Sequence, residues 1–169
     1  MSSTPIETER KFLIRIPSIE AMQSQKNFRI RNITQTYLQS EGKKNSRVRA
    51  IVENGKLSYI KTTKERISTL SCYEDEHNIS LKEYKTLLLI ADKEKKSIHK
   101  TRYSFEYCDH ILEIDVYDFW NDRATLEIEL QSENEEFSIP SFIEVIKEIS
   151  TDGRYKNTNL AKSVPFDEI

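Results

Sequence analysis

The chain has 169 residues, 32% of them charged and 37% hydrophobic, a balance that suits one folded domain over 1–169 and excludes a disordered chain. Its 26 basic and 28 acidic side chains give a net charge of −2, so no overall field draws it to nucleic acid or an anionic membrane, and any anion site must be local. Cys72 and Cys108 share no metal-ligand spacing, the opening MSSTPIETER lacks the apolar core of a secretory signal, and no apolar run approaches membrane length; a soluble, cytoplasmic protein without a disulfide is expected.

Along the chain, charged and apolar residues first alternate over 5–16, the period of a half-buried strand. A short helix is predicted between Ser18 and Lys26, entered at Pro17-Ser18. Alternation returns over 47–52 and 56–63, joined by Glu53-Asn54-Gly55, which reads as a hairpin turn. Leu81, Tyr84, Leu87, Leu88 and Ala91 have helical spacing after Ser80, an N-cap residue type. Strands follow over 98–107, 111–117 and 125–131. Phe142, Val145, Ile146 and Ile149 then predict an amphipathic helix after Pro140-Ser141, and Asp152-Gly153 marks a turn. So many strands in a small chain, with helices packed outside, point to an α+β fold in which a barrel removes exposed edges.

The polar faces of these strands are unusual. Glu7, Glu9 and Lys11 share one face of the first strand, and Glu127 and Glu129 share one face of a late strand whose other face is Leu126, Ile128 and Leu130. Arg47 with Arg49, Lys100 with Arg102, Glu74 with Glu76 and Glu113 with Asp115 repeat the pattern, and Lys61 ends a strand that carries a tyrosine. Any one pair could be a solvated outer face, but six in one chain argue against that. Turned inward in a closed barrel, the acidic pairs could ligate a hard divalent cation and the basic ones could hold phosphate oxygens. Such a density of carboxylates would repel itself unless metal ions and basic neighbours neutralised it.

These residues resemble the CYTH superfamily of triphosphate tunnel metalloenzymes, which includes inorganic triphosphatases, thiamine triphosphatases and class IV adenylyl cyclases. Glu7-Thr8-Glu9-Arg10-Lys11 is similar to its Glu-x-Glu-x-Lys signature. In family order follow Tyr37-Leu38, Arg47-Val48-Arg49, Tyr59-Ile60-Lys61, Glu74-x-Glu76, Lys100-x-Arg102-Tyr103, Glu113-x-Asp115, Leu126 to Leu130 and Asp152 to Asn157. The resemblance implies a closed eight-stranded antiparallel barrel, the triphosphate tunnel. It implies Mg2+ or Mn2+ on Glu7, Glu9, Glu127 and Glu129, with Glu74, Glu76 and Asp115 contributing. Arg47, Arg49, Lys61, Lys100, Arg102, Arg154 and Lys156 would grip phosphates, Lys11 would orient substrate or water, and Tyr37 is the family's occasional proton acceptor. Cys72 stands where many members carry arginine, and Thr62 where glycine often follows the tunnel lysine.

The expected activity is hydrolysis of a triphosphate, first inorganic tripolyphosphate, since phosphoryl transfer asks mainly for positioning and charge neutralisation. A cyclase making cyclic AMP from ATP is the alternative within the fold, and a non-catalytic polyphosphate-binding module the alternative outside catalysis. The resemblance also leaves room for a homodimer. Trp120, the histidines His77, His99 and His110, and a half-buried Cys108 are read as packing or surface residues, and Lys93-Glu94-Lys95-Lys96 as a solvated connection.

Overall fold

The computed structural model describes residues 5–169; the first four residues of the stretch read for a signal sequence, and of the 1–169 domain, lie outside the described residues. Nine strands are present among them: β1 (Ile6–Arg15), β2 (Lys26–Tyr37), β3 (Lys44–Glu53), β4 (Lys56–Arg66), β5 (Ser71–Ile79), β6 (Ile98–Tyr107), β7 (His110–Tyr117), β8 (Arg123–Leu130) and β9 (Val145–Glu148). The hydrogen-bonded order β5-β4-β3-β2-β6-β7-β8-β1 closes on itself where Glu7 of β1 pairs with Cys72 of β5, giving an eight-stranded antiparallel barrel. β9 adds to β1 beyond β5, with Phe12 opposite Glu148 and Leu13 opposite Lys147.

Local chemistry explains the connections. The β3–β4 hairpin turns on Asn54 and Gly55, both at positive φ (51° and 74°), the pair of left-handed residues that a two-residue turn between twisted strands requires. Cys108 and Asp109 do the same between β6 and β7, at φ 47° and 64°, which leaves Cys108 exposed rather than half-buried as expected. Helix α1 (Ile19–Gln23) starts at Ser18, whose hydroxyl accepts the Ala21 N–H, and helix α2 (Leu81–Leu88) starts at Ser80, which accepts from Glu83. α2 lies outside the barrel, with Tyr84 against Tyr59 of β4 at 4.7 Å between ring centroids. Among the described residues no helix is long and apolar enough to cross a membrane.

The helix expected from Phe142 to Ile149 is absent; the chain there is irregular and then forms β9. Its apolar residues look helically spaced because they serve two different cores. Phe142 and Ile143, with Phe137 and Ile139, cover the outer wall of the barrel, packing with Met22 on Phe12, Ile14, Leu112, Ile114, Leu126 and Ile128. Ile146 and Ile149 instead join a second cluster in which Leu13, Tyr37, Ile98 and Tyr117 are capped by Trp120, Tyr155 and Leu160. One core lies outside the barrel wall and the other plugs part of one barrel end. Between them the barrel interior is left to charged side chains.

Candidate active site

Residues opposite one another across a sheet share a face, so the strand register identifies the interior. Lys11 lies opposite Glu127, Glu127 opposite Glu113, Asp115 opposite Arg102 and Arg102 opposite Arg31. Arg49 lies opposite Gln35, Arg47 opposite Tyr37 and Thr62, Thr62 opposite Glu76, Lys64 opposite Glu74, and Glu9 opposite Glu129. The barrel therefore brings together Glu7, Glu9, Lys11, Tyr37, Arg47, Arg49, Glu74, Glu76, Lys100, Arg102, Asp115, Glu127 and Glu129 on its inner wall.

Those charges fall into two groups. On β6 to β8 they neutralise one another. Asp115, 1% exposed, accepts from Nζ of Lys100 at 2.7 Å and from Nε and Nη2 of Arg102 at 2.7 and 2.8 Å. Arg102 also donates to Glu113 at 2.8 Å, and Arg31 donates to the same carboxylate oxygen at 3.2 Å. Burial would raise the Asp115 pKa, but the adjoining Arg102 and Lys100 outweigh it and hold the carboxylate well below its usual range. A buried network satisfied on so many sides fixes geometry. It offers a new anion little.

The second group lines a cavity of about 350 Å³ that opens beside the plugged end, on the side of β3, β4 and β5. Six cationic side chains line it, Lys11, Lys43, Arg47, Lys64, Arg66 and Lys156, against two carboxylates, Glu9 and Glu127. Lys64 is committed to Glu7 (2.5 Å) and Glu74 (3.0 Å), and Lys11 lies 3.2 Å from Glu127. Among the described residues Lys43, Arg47, Arg66 and Lys156 have no carboxylate partner, and Nε of Arg47 is buried with no acceptor at all. A buried guanidinium N–H left without an acceptor is costly unless a ligand supplies one. The cavity thus presents cationic side chains that lack a protein partner, the chemistry that an anion takes.

Beside it stands the complementary excess. Glu9 and Glu129 face each other across β1 and β8, and neither has a cationic partner within ion-pairing distance among the described residues. Burial, then the charges of Glu127 and Glu7, pushes the Glu9 carboxyl well above the ordinary range. Burial, then Glu113, pushes Glu129 up to about 7. Glu127 differs: burial would raise it too, but Lys11 and Arg102 hold it at about 2. Directly opposed like charges destabilise a sheet, so Glu9 and Glu129 call for a cation that the protein itself does not provide. Among the described residues no three donor groups are already drawn together as a finished metal centre. The donors themselves, oxygen-only and partly unneutralised, are the chemistry that Mg2+ or Mn2+ takes, so the residues fit such an ion.

Of the seven residues expected in the phosphate grip only Arg47 and Lys156 line the cavity; Arg49, Lys100 and Arg102 face the interior but are held by Glu76, Asp115 and Glu113, and two more are elsewhere. Lys61 lies opposite Val48 and shares the outer face with Tyr59, so it points away from the interior; Lys64, three residues later, occupies the tunnel wall instead. The signal was present in the sequence, because a two-residue turn at Asn54-Gly55 sets Glu53 opposite Lys56 and hence Arg47 opposite Thr62. Arg154 is also outside the cavity, held by Asp152 at 2.7 Å and Asp167 at 3.1 Å. Lys43 and Arg66 line the cavity without having been singled out. Lys95 departs from the solvated run expected of it: its side chain is 7% exposed, 2.8 Å from the Thr158 hydroxyl and over the Tyr37 ring. Trp120 is 4% exposed inside the plug and donates to the Pro165 carbonyl, a packing residue as expected.

Comparison with protein families matches residues 5–164 to the CYTH domain. Among solved structures, the inorganic triphosphatase NE1496 is 25% identical, covers 98% of this chain and 99% of its own, and superposes with a TM-score of 0.57. The PH1012 protein from Pyrococcus horikoshii OT3 is 22% identical over 75% of this chain and 80% of its own, with a TM-score of 0.56. A Bacillus halodurans protein described as a candidate adenylate cyclase is 17% identical over 75% and 81%, with a TM-score of 0.51. Comparison with curated proteins gives no match.

Proposed function

The chain belongs to the CYTH domain family, and from that premise we propose that it is a metal-dependent triphosphatase that removes the terminal phosphoryl group of inorganic tripolyphosphate. The observation that carries this reading is the division of charge inside the barrel. Cations without partners line an open cavity, and carboxylates without partners adjoin it, a division that supports binding of a polyanion together with a divalent cation. The 25% identical structural neighbour described as an inorganic triphosphatase supports hydrolysis in general.

In this reading Arg47 and Lys64 hold phosphate oxygens inside the cavity, with Lys156 beside them and the exposed Lys43 and Arg66 at its rim. Glu9 and Glu129, with Glu7, would hold Mg2+ or Mn2+. Bound there, the ion would supply charge neutralisation on the phosphate chain and a more acidic attacking water. The ion-paired Arg102, Lys100 and Asp115 stay a rigid wall against which the site is positioned. An ammonium has three N–H donors, and Lys11 uses one on the Tyr155 carbonyl at 3.0 Å and one toward Glu127. The third remains for substrate or attacking water. Tyr37 is the one aromatic among the cavity-lining residues, and Lys95 and Arg47 hem it in, so the lining offers no open platform for a base.

ATP separates hydrolysis from cyclisation. A triphosphatase releases phosphate and ADP; a cyclase releases pyrophosphate and cyclic AMP. Phosphate release from tripolyphosphate, much slower phosphate release from ATP and no cyclic AMP is the expected outcome. Cyclic AMP with stoichiometric pyrophosphate would replace the triphosphatase reading with a cyclase.

A further inference from the structure

We propose that Asp167 is a positioning residue for Lys11, acting through Tyr155. The Lys11 side chain is 11% exposed, and its ammonium lies between two acceptors of different kinds, the Tyr155 carbonyl and the Glu127 carboxylate. The carbonyl is the one that aims the remaining N–H into the cavity. Without it an ammonium beside a carboxylate collapses onto that carboxylate, because the charged partner is the stronger acceptor.

The Tyr155 carbonyl belongs to a tight 3-10 turn, Gly153–Tyr155, which Asp152 caps from within by accepting the Arg154 N–H and which the carboxylate of Asp167 ties to the rest of the molecule. The Tyr155 hydroxyl donates to Asp167 Oδ2 at 2.8 Å, and the same oxygen takes Lys147 of β9 at 2.9 Å and Arg154 at 3.1 Å. One carboxylate therefore ties β9 and the turn to the chain's last described segment. That segment is itself fixed, since Arg123 donates to the Asp167 backbone carbonyl and Trp120 to that of Pro165. The Tyr155 ring is fully buried in the plug, so a pull on its hydroxyl moves its backbone. The Lys11 backbone is bracketed from the same stretch: its N–H donates to Ser150 Oγ at 2.8 Å and its carbonyl accepts from Ile149 at 2.8 Å. Of the cations that line the cavity, Arg47, Lys64 and Arg66 sit on β3 and β4, away from this chain of contacts, while Lys156, which follows Tyr155, is the one that adjoins it.

Only the kinetic part of the test rests on the triphosphatase reading. Asp167→Ala is expected to lower kcat for tripolyphosphate about tenfold with KM little changed, a loss typical of a misaimed group outside the ground-state grip. Asp167→Asn keeps an oxygen for the Tyr155 hydroxyl and should recover most of the rate. In a Lys11→Met background Asp167→Ala should cost nothing further, because contacts acting through one residue are not additive. Equal losses in both backgrounds, or a rise in KM at constant kcat, would overturn the proposal. The second part needs no substrate: acylation of lysines by an amine-reactive reagent, read by peptide mass spectrometry. Asp167→Ala should lower the labelling of Lys11, whose ammonium then closes on Glu127, and leave that of Lys64 alone; unchanged Lys11 labelling, or an equal fall at Lys64, contradicts the mechanism even if the chain hydrolyses no triphosphate.

Discussion

Lys61 and Lys64 show how much a single residue's function depends on parity. They are three positions apart on one strand, so one faces the outside with Tyr59 and the other the cavity with Thr62. Lys64→Ala is expected to lower kcat/KM for tripolyphosphate by about 100-fold, the usual cost of removing a charged donor from a preorganised site. Lys61→Ala should leave it within about twofold, since surface substitutions away from a site seldom matter. Steady-state kinetics of the two variants would reverse this order if the register of β4 were shifted by one. Glu129 carries the opposite lesson. Its carboxyl is pushed up to about 7 by burial and by Glu113, so at pH 8 its ionised form destabilises the metal-free fold. Glu129→Gln should therefore raise stability at pH 8 in chelator, on the order of 1 kcal/mol once solvent screening is allowed for, while lowering metal-dependent turnover. Urea melts and phosphate release measured on the same preparation check both halves.

Elements were legible where one face of a strand is apolar. Alternation finds β1, β3, β4, β6, β7 and β8 because a charged inner face opposes an outer face rich in apolar residues. It misses β5, whose outward Tyr73, Asp75 and His77 are exposed while Cys72, Glu74 and Glu76 face inward, so neither face reads as a core. β2 is missed for a similar reason: Arg29 and Arg31 face the interior, and Ile30 outside is 41% exposed. The segment before β9 fails differently, its helical spacing produced by residues divided between two clusters. The acidic and basic pairs of the site were legible because period two places them without any tertiary knowledge. Which cations are free and which are neutralised was not, since that depends on partners such as Glu76 for Arg49, 27 residues away in sequence.

The end of the chain behaves as one electrostatic element. Glu148, Asp152 and Asp167 have carboxyls held below their ordinary range, by Arg10, by Arg154, and by Lys147 with Arg154 and Tyr155 respectively. A depressed folded-state pKa means that the native state binds fewer protons than the unfolded one, so these contacts contribute fully above about pH 4 and are lost as pH falls through the lower folded values. Hydrogen exchange should show amides of 145–155 losing protection on acidification below about pH 4 before those of β6 to β8. Simultaneous loss across the barrel would mean that the segment is not a separate unit.

At the scale of the whole molecule, the barrel inverts the ordinary arrangement of a small protein. Its apolar cores lie outside the wall and at one end, and the interior carries charge. Such an interior is tolerable only because cross-strand pairs neutralise most of it, and the unneutralised remainder is where ligands of opposite charge are proposed to bind. A ligand that supplies both missing signs, a divalent cation with a polyanion, should stabilise the fold more than either component alone, because it binds the native state only. The unpaired cations and carboxylates are proposed to form together a metal-triphosphate site that turns over. Phosphate release from tripolyphosphate by the purified protein, with magnesium or manganese and again with chelator, tests it most directly. Turnover that appears with metal and vanishes with chelator is the predicted result; no release with either metal, from folded protein, would contradict the account.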